Sequence, residues 1–160
     1  GLLEHSLSVA SICDGIAGHY SFVNRDLLVT GAILHDIGKL SELSSFPANE
    51  YTDEGQLLGH IVIGAQMIHD RIRRIEGFPR KLAAELEHMI LSHHGELEYG
   101  SPKKPAIVEA MILSFVDNMD AKVETMYEAF KSKAPQNADG WLGFNKLLDS
   151  NIRRTSENGK

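Results

Sequence analysis

Apolar residues recur with the period of an α-helix along most of the chain. The pattern predicts five helices, over residues 2–18, 25–37, 56–75, 81–92 and 107–130. The first has apolar residues three or four positions apart and ends near Gly18, since glycine favours helix termination. The second is apolar on almost every side and has Asn24 in the N-cap position, so we expect it to be buried.

The remaining segments of the chain do not continue this helical pattern. Residues 40–54 and 95–105 carry Ser, Pro and either Asn or Gly with little periodicity, so we expect loops, the first of which could cover a site. A last amphipathic segment covers residues 141–152, and no strand pattern is evident. We therefore expect an all-α helical bundle, built as one domain over residues 1–156, with a frayed tail at 157–160.

Composition limits the classes of function. With 160 residues and 42% hydrophobic content, the chain can form one domain with a substantial core. The net charge of −6 offers no overall positive field, so any polyanion must be held locally. Cys13, the single cysteine, excludes an intrachain disulfide, fits a reducing cytoplasm and is expected to be a small buried hydrophobe. No apolar run approaches the roughly 20 residues of a membrane span, so we expect no membrane contact.

The dipeptide His35-Asp36 is the most informative chemical feature of the sequence. It stands at the end of the apolar second helix and is followed by Gly38. Adjacent histidine and aspartate side chains reach one cation most easily where a helix ends. Other imidazoles and carboxylates occupy positions from which the predicted helices could bring them to the same point. The candidate metal ligands are His5, His35, Asp36, His60, His93, His94 and Asp117.

This donor set indicates a catalytic metal rather than a structural one. Imidazole with carboxylate suits manganese, iron, cobalt, nickel or zinc, whereas structural zinc sites are rich in thiolates. Asp117 lies in a strongly apolar helix, where a cation would offset the cost of burying its charge. His69 is nine residues after His60, about half a turn out of phase, and is expected to face solvent. Instead of binding metal, His60, His93 and His94 could hydrogen-bond the residues that do, or could be surface residues.

The order of the histidines and aspartates in this set resembles that of the HD-domain metal-dependent phosphohydrolase superfamily, and the later histidines are similar to those of its two-metal form. Longer stretches resemble YhaM-type bacterial 3′-to-5′ exoribonucleases, at residues 1–5, 50–60, 91–102 and 117–122. The resemblance implies an HD-domain helical bundle that holds two divalent ions between core helices, with manganese, iron, cobalt or nickel favoured over magnesium or zinc. It also implies a single-stranded nucleic acid substrate and an N-terminal oligonucleotide-binding domain that is absent from this chain. We therefore expect this chain to be a domain excised from a longer protein.

The residues themselves indicate how such a centre would act on phosphorus. Asp36 is the best candidate to bridge two metals, because it follows His35 directly and its second oxygen is free for a neighbouring cation. Two closely spaced cations can activate water and stabilise both oxygens of an in-line displacement. Lys39, one turn further on, could hold a phosphate oxygen as a point charge. We therefore predict that Asp36 and Lys39 act in catalysis.

Four further residues are expected around the centre. Lys103 and Lys104, in the second loop, could steer the other phosphates of a substrate. Asp120 lies one turn after Asp117 and is expected to support a ligand histidine. Glu96 could hydrogen-bond a ligand or carry a proton, and an ordinary surface glutamate is an equal alternative.

Three functions remain open on the sequence alone. The first is a phosphodiesterase that acts on the 3′ end of single-stranded RNA or DNA. The second is a nucleotide phosphohydrolase or cyclic-nucleotide phosphodiesterase, although the Gly-Tyr-Pro signature of cyclic-dinucleotide cleavage is missing after the His-Asp pair. The third is a non-catalytic HD-type regulatory or binding module, against which the complete ligand set argues. Homo-oligomer formation also stays open.

Overall fold

The computed structural model describes residues 1–45, 47–132, 135 and 139–156. The chain forms two compact units, residues 1–118 and residues 119–160. Its helices are α1 (Leu2–His19), α2 (Arg25–Leu34), α3 (Lys39–Glu42), α4 (Asp53–Ile72), α5 (Arg80–Ser92) and α6 (Val108–Ser132), with a 3₁₀ turn at Leu97–Tyr99. The expected all-α class is confirmed. The domain bounds of 1–156 stay a prediction, and the tail at 157–160 lies outside the described residues.

The first unit is held together by one apolar core. Helix α1 packs against α2, α2 packs against α5, and α4 packs against α5. Val9, Cys13, Leu28, Met89 and Leu113 are completely buried at the centre of these contacts. The expectation that Cys13 is a buried hydrophobe is confirmed. Close packing of this kind gives the site a rigid frame, because interiors at crystal-like density leave side chains little room to move.

Helix α2 ends earlier than the sequence predicts, and for a different reason. Asn24 caps its start, since the Asn24 side chain accepts a hydrogen bond from the Leu27 amide at 3.1 Å. The helix ends at Leu34, before the predicted end at residue 37, and a turn follows. Gly38 is not the left-handed residue that ends it, because its φ is −62° and it begins α3. Glycine is required there because a Cβ would lie 2.0 Å from the His60 carbonyl oxygen.

The segment expected to be a loop over residues 40–54 is partly ordered. Helix α3 occupies its start, and a single antiparallel bridge joins Leu43 to Tyr51. Thr52 then caps α4, accepting a hydrogen bond from the Gly55 amide at 2.9 Å. The prediction missed these elements because α3 is too short to show a period, and a capping threonine looks like a loop residue. Phe46, inside this segment, lies outside the described residues.

The second unit contains the C-terminal part of α6 and a β-hairpin. Strand β1 (Trp141–Asn145) pairs antiparallel with β2 (Ser150–Arg153). The expectation that residues 141–152 contain no strand is therefore wrong. Leu142 and Ile152 are buried with Ala129, while most of their strand neighbours are exposed. Such short strands leave too few alternating positions for the period of two to be recognised. None of the described helices is long and apolar enough to cross a membrane.

Candidate metal centre

Five helix-derived segments of the first unit meet at one point. His5 comes from α1, His60 from the middle of α4, and Asp117 from α6. The two adjacent pairs, His35-Asp36 and His93-His94, each follow directly on the end of a helix, α2 and α5 respectively. The structure thus brings together all of the candidate ligands named from the sequence, in two groups.

The first group consists of His5, His35 and Asp117, whose ligand atoms all lie within 4.8 Å of one another. His5 Nε2 is 3.0 Å from Asp117 Oδ1, and His35 Nε2 is 3.6 Å from the same oxygen. His35 is completely buried, while the other two side chains are partly exposed. Two imidazole nitrogens and one carboxylate oxygen make a donor set suited to a divalent transition metal.

The second group consists of His60, His93 and His94, whose ligand atoms also lie within 4.8 Å of one another. Their ring centroids are 5.2 Å apart for His60 and His94, and 4.4 Å apart for His93 and His94. His93 is completely buried. Three imidazoles converging on one point form a second potential metal site.

Asp36 lies between the two groups and faces each with a different oxygen. Its Oδ2 is 3.5 Å from His35 Nε2 and 3.8 Å from His5 Nε2, on the side of the first group. Its Oδ1 is 3.6 Å from His60 Nε2 and 3.7 Å from His93 Nε2, on the side of the second. The carboxylate is almost completely buried. A bridging carboxylate needs this arrangement, with one oxygen for each cation.

The histidines are oriented by hydrogen bonds at the opposite side of each ring. The Nδ1 atoms of His35, His93 and His94 lie 2.7 Å from the backbone carbonyl oxygens of Ala32, Ile90 and Tyr99 respectively. A carbonyl oxygen only accepts, so each Nδ1 carries the hydrogen and donates it. In the neutral imidazole, Nε2 then presents its lone pair to the centre, which is the tautomer that a metal requires.

Glu42 orients His60 and is the main site residue that the sequence did not reveal. Its Oε1 accepts hydrogen bonds from the His60 backbone amide at 2.9 Å and from His60 Nδ1 at 3.1 Å. The amide is free because Gly59, at φ 72°, interrupts the helical backbone of α4 immediately before His60. Glu42 is 7% exposed, so the carboxylate acts in a largely dry environment. No spacing rule relates residue 42 to residue 60.

Charges within the centre perturb one another strongly. Burial alone would lower the pKa of His35, but Asp117 and Asp36 beside it raise that pKa to about 9. Burial would raise the pKa of Asp36, but His35 and Lys39 hold it well below its usual range. Burial and the nearby charged imidazoles lower the pKa of His93 to about 3. Opposite charges are therefore concentrated here, as expected of a functional site.

Several buried polar atoms in the centre accept and donate no hydrogen bond among the described residues. They are His35 Nε2, Asp36 Oδ1, His60 Nε2 and His93 Nε2. A buried polar atom without a partner lowers the stability of a protein by roughly 1–3 kcal/mol, so a cluster of such atoms indicates a ligand-binding site. The three imidazole nitrogens each lie within 3.7 Å of an Asp36 oxygen, where divalent cations would satisfy them. The donor set therefore fits metal binding.

The remaining predicted residues are placed as follows. Lys39 Nζ lies 2.6 Å from Asp36 Oδ2, so Lys39 is at the centre, although its contact to phosphate stays a prediction. Lys104 lines a cavity next to His94, whereas Lys103 lies near His88 and does not line that cavity. The role of each lysine toward substrate also stays a prediction.

The supporting roles of Glu96 and Asp120 stay predictions as well. Glu96 is half exposed and pairs with Lys104, with Oε2 2.5 Å from Nζ. Asp120 lies on α6 in the second unit. His69 is 53% exposed and hydrogen-bonds Glu87 at 2.9 Å, away from the centre, as the helical phase predicts.

Known proteins are similar to this chain in sequence or in fold. The chain is 42% identical over 135 residues to the 3′-5′ exoribonuclease YhaM of Bacillus subtilis (strain 168). This alignment covers 84% of the chain and 43% of the relative. The YhaM of Geobacillus sp. (strain WCH70) matches at 42% identity over 84% of this chain and 41% of that protein. The chain thus spans less than half the length of these curated relatives.

A solved structure has the same helical architecture. The crystal structure of the HD domain of the L. monocytogenes phosphodiesterase PgpH matches with a TM-score of 0.54 and 22% sequence identity. The match covers 78% of this chain and 68% of that chain, and at this identity it shows a common fold. The sequence also matches the HD domain family over residues 2–122, a range that includes every candidate ligand. The chain therefore belongs to the HD domain family.

Proposed function

We propose that this chain is a metal-dependent phosphodiesterase with two cations at its centre. The observation that carries the proposal is the position of Asp36, whose two oxygens each face a separate group of ligand atoms. His5, His35 and Asp117 would hold one cation, and His60, His93 and His94 the other. The ions would be manganese, iron, cobalt or nickel, which suit imidazole with carboxylate donors.

Cations bound in this way activate water and stabilise charge on phosphate oxygens during an in-line displacement. The chain's own residues prepare the site for such a reaction. Three backbone carbonyls and Glu42 fix the imidazole tautomers. Asp36 and Asp117 supply negative charge that offsets part of the charge of two divalent cations. Lys39, about one-third exposed and 2.6 Å from Asp36 Oδ2, would hold a non-bridging phosphate oxygen.

The substrate that we propose is the 3′ end of a single-stranded RNA or DNA, shortened stepwise with release of nucleoside monophosphates. The 42% identity to YhaM exoribonucleases supports it, and the loop residues Lys103 and Lys104 would contribute local positive charge. Because the net charge is −6, we expect the chain to bind long RNA weakly and to cleave short oligonucleotides. The single cysteine, Cys13, favours a reducing cytoplasm as the place of action.

Cleavage of end-labelled single strands with manganese tests this function. Strands with a free 3′ hydroxyl and with a 3′ phosphate are compared, and cyclic dinucleotides and nucleoside triphosphates are offered in parallel. Stepwise shortening from the free 3′ hydroxyl is the expected result. Preferred turnover of cyclic dinucleotides, or release of inorganic phosphate from nucleotides, would replace the exonuclease with a nucleotide phosphohydrolase. Absence of any turnover in protein that holds its metals would indicate a binding module.

A further inference from the structure

A cavity of about 260 Å³ opens beside the second group of candidate ligands. Its wall includes His94, Tyr99, Lys104, Phe115 and Asn118. His94 belongs both to this wall and to the metal centre, so the cavity adjoins the position where a phosphate would be held. All of these residues lie in the first unit.

Two aromatic rings of this wall are exposed to solvent. Tyr99 is 59% exposed and Phe115 is 69% exposed. Proteins often bind unpaired bases by stacking them on exposed aromatic side chains near a phosphate-binding position. Any base can stack in this way, because every base has a flat face. The cavity thus offers stacking surfaces at short range from the centre.

Polar groups of the same wall complement a nucleoside. Asn118 is exposed and carries both a donor and an acceptor, which base edges and sugar hydroxyls can use. Lys104 and Glu96, paired at 2.5 Å at the rim, add further hydrogen-bonding groups. The Tyr99 carbonyl, which accepts from His94 Nδ1 at 2.7 Å, connects the wall rigidly to the metal centre. Apolar faces with a few polar groups are typical of small-molecule sites.

A second cavity, of about 570 Å³, includes Asp36 in its wall and so also adjoins the centre. Among the described residues, its wall contains no aromatic side chain and consists mainly of aliphatic residues, such as Leu3, Leu7, Ile33 and Leu40. Aliphatic walls provide no stacking face and no edge recognition for a base. Of these two cavities, the one beside His94 is therefore the better match to a single nucleoside.

We infer that the cavity beside His94 holds the base and sugar of the 3′-terminal nucleotide, whose 5′ phosphate lies at the metal centre. This inference rests on the proposed function, since it assumes a phosphodiester held at that centre. The base stacks chiefly on Phe115, the more exposed of the two rings, with Tyr99 adding a smaller stacking contact, and the Asn118 amide hydrogen-bonds the base or the sugar. The size of the cavity restricts it to one nucleotide, in keeping with release of monophosphates.

Two short oligonucleotides that differ only at the 3′ end test the subsite. One carries a normal terminal nucleotide, and the other carries an abasic terminal residue with the same phosphodiester. Stacking of one base is worth roughly 1–3 kcal/mol, which corresponds to about 5- to 150-fold, so kcat/KM for the normal strand should exceed that for the abasic strand by about fivefold or more. In Phe115→Ala this ratio should fall close to one, and in Tyr99→Ala it should also decrease.

Phe22→Ala is the matched control, because Phe22 is 72% exposed and does not line this cavity. Its ratio should equal that of the unmodified chain, and metal content and circular dichroism show whether each variant is intact. An equal rate on both strands in the unmodified chain would overturn the subsite. An unchanged ratio in both Phe115→Ala and Tyr99→Ala would overturn it as well.

Binding separates failure of the subsite from failure of the proposed function. If neither strand is cleaved, the exonuclease proposal fails, and calorimetry with manganese then compares adenosine 5′-monophosphate with ribose 5-phosphate. Binding of the nucleotide at least about fivefold tighter than the sugar phosphate, lost in Phe115→Ala, would sustain the subsite without the nuclease. Equal affinity for the two compounds would overturn it.

Discussion

Replacing Glu42 tests whether the metal centre depends on the carboxylate that orients His60. Glu42 Oε1 receives two hydrogen bonds, from the His60 backbone amide at 2.9 Å and from His60 Nδ1 at 3.1 Å. Glu42→Gln keeps a carbonyl oxygen that can accept both, but loses the negative charge. Glu42→Ala removes the acceptor altogether and leaves the ring without its orienting partner.

The expected loss follows from the role of such outer partners. Removing one typically costs 10–100-fold in metal affinity, which corresponds to about 1.4–2.8 kcal/mol. We expect Glu42→Gln near the lower end and Glu42→Ala near the upper end. Glu42→Ala should also lower the free energy of unfolding by roughly 1–3 kcal/mol, because the His60 amide, freed by the kink at Gly59, loses its acceptor.

Competition with a chelator of known affinity measures the metal affinity of each site. Glu109→Gln is the matched control, because Glu109 is also 7% exposed and accepts a hydrogen bond from the Asn24 amide at 2.7 Å. It should leave both metal affinities unchanged. If Glu42→Ala bound metal as tightly as the unmodified chain, the reasoning from the His60 hydrogen bonds would be refuted.

Three further predictions follow from individual residues. His60→Ala should lose one metal equivalent and most hydrolysis, whereas His69→Ala, exposed and paired with Glu87, should lose neither when metal content is measured; equal behaviour would contradict the helical phasing. Gly38→Ala should lower the free energy of unfolding by about 1–3 kcal/mol or more, because its Cβ would meet the His60 carbonyl, whereas Gly15→Ala, with open space in α1, should raise it by roughly 0.5–1 kcal/mol; denaturant titration decides. Burial, and then the charge of Asp117, raise the pKa of Cys13 to about 12, so its thiol stays protonated at pH 8 and should react with a thiol reagent only after unfolding; rapid reaction in the folded chain would show an exposed thiolate.

The candidate ligands could be predicted because their chemistry is unusual for their surroundings. His35 and Asp36 follow an apolar helix, and Asp117 interrupts another. Because burying these charges without a partner would be costly, the sequence alone predicts a cation beside them. The half-turn offset of His69 from His60 also survives in the structure, because α4 remains regular after the kink. Helical periodicity carries long-range information of this kind wherever a helix is long.

Other features could not be read from the sequence because they depend on contacts between distant residues. Glu42 acquires its role only when α3 packs beside the kink in α4. Gly38 looks like a helix terminator, yet it is needed for the close approach of the His60 carbonyl. The β-hairpin at 141–153 was missed because its two strands are short and bury only Leu142 and Ile152 deeply.

The metal content of the unmodified chain and of Asp36→Ala tests the central claim most directly. Asp36 faces each group of ligands with a separate oxygen, so its loss should affect both cations. Elemental analysis after purification without an affinity-tag metal column should find two equivalents of a transition metal per unmodified chain. It should find essentially none in Asp36→Ala, while circular dichroism shows unchanged helical content. Retention of two metals by Asp36→Ala would contradict the bridging role of Asp36, and fewer than two equivalents in the unmodified chain would contradict the two-metal centre.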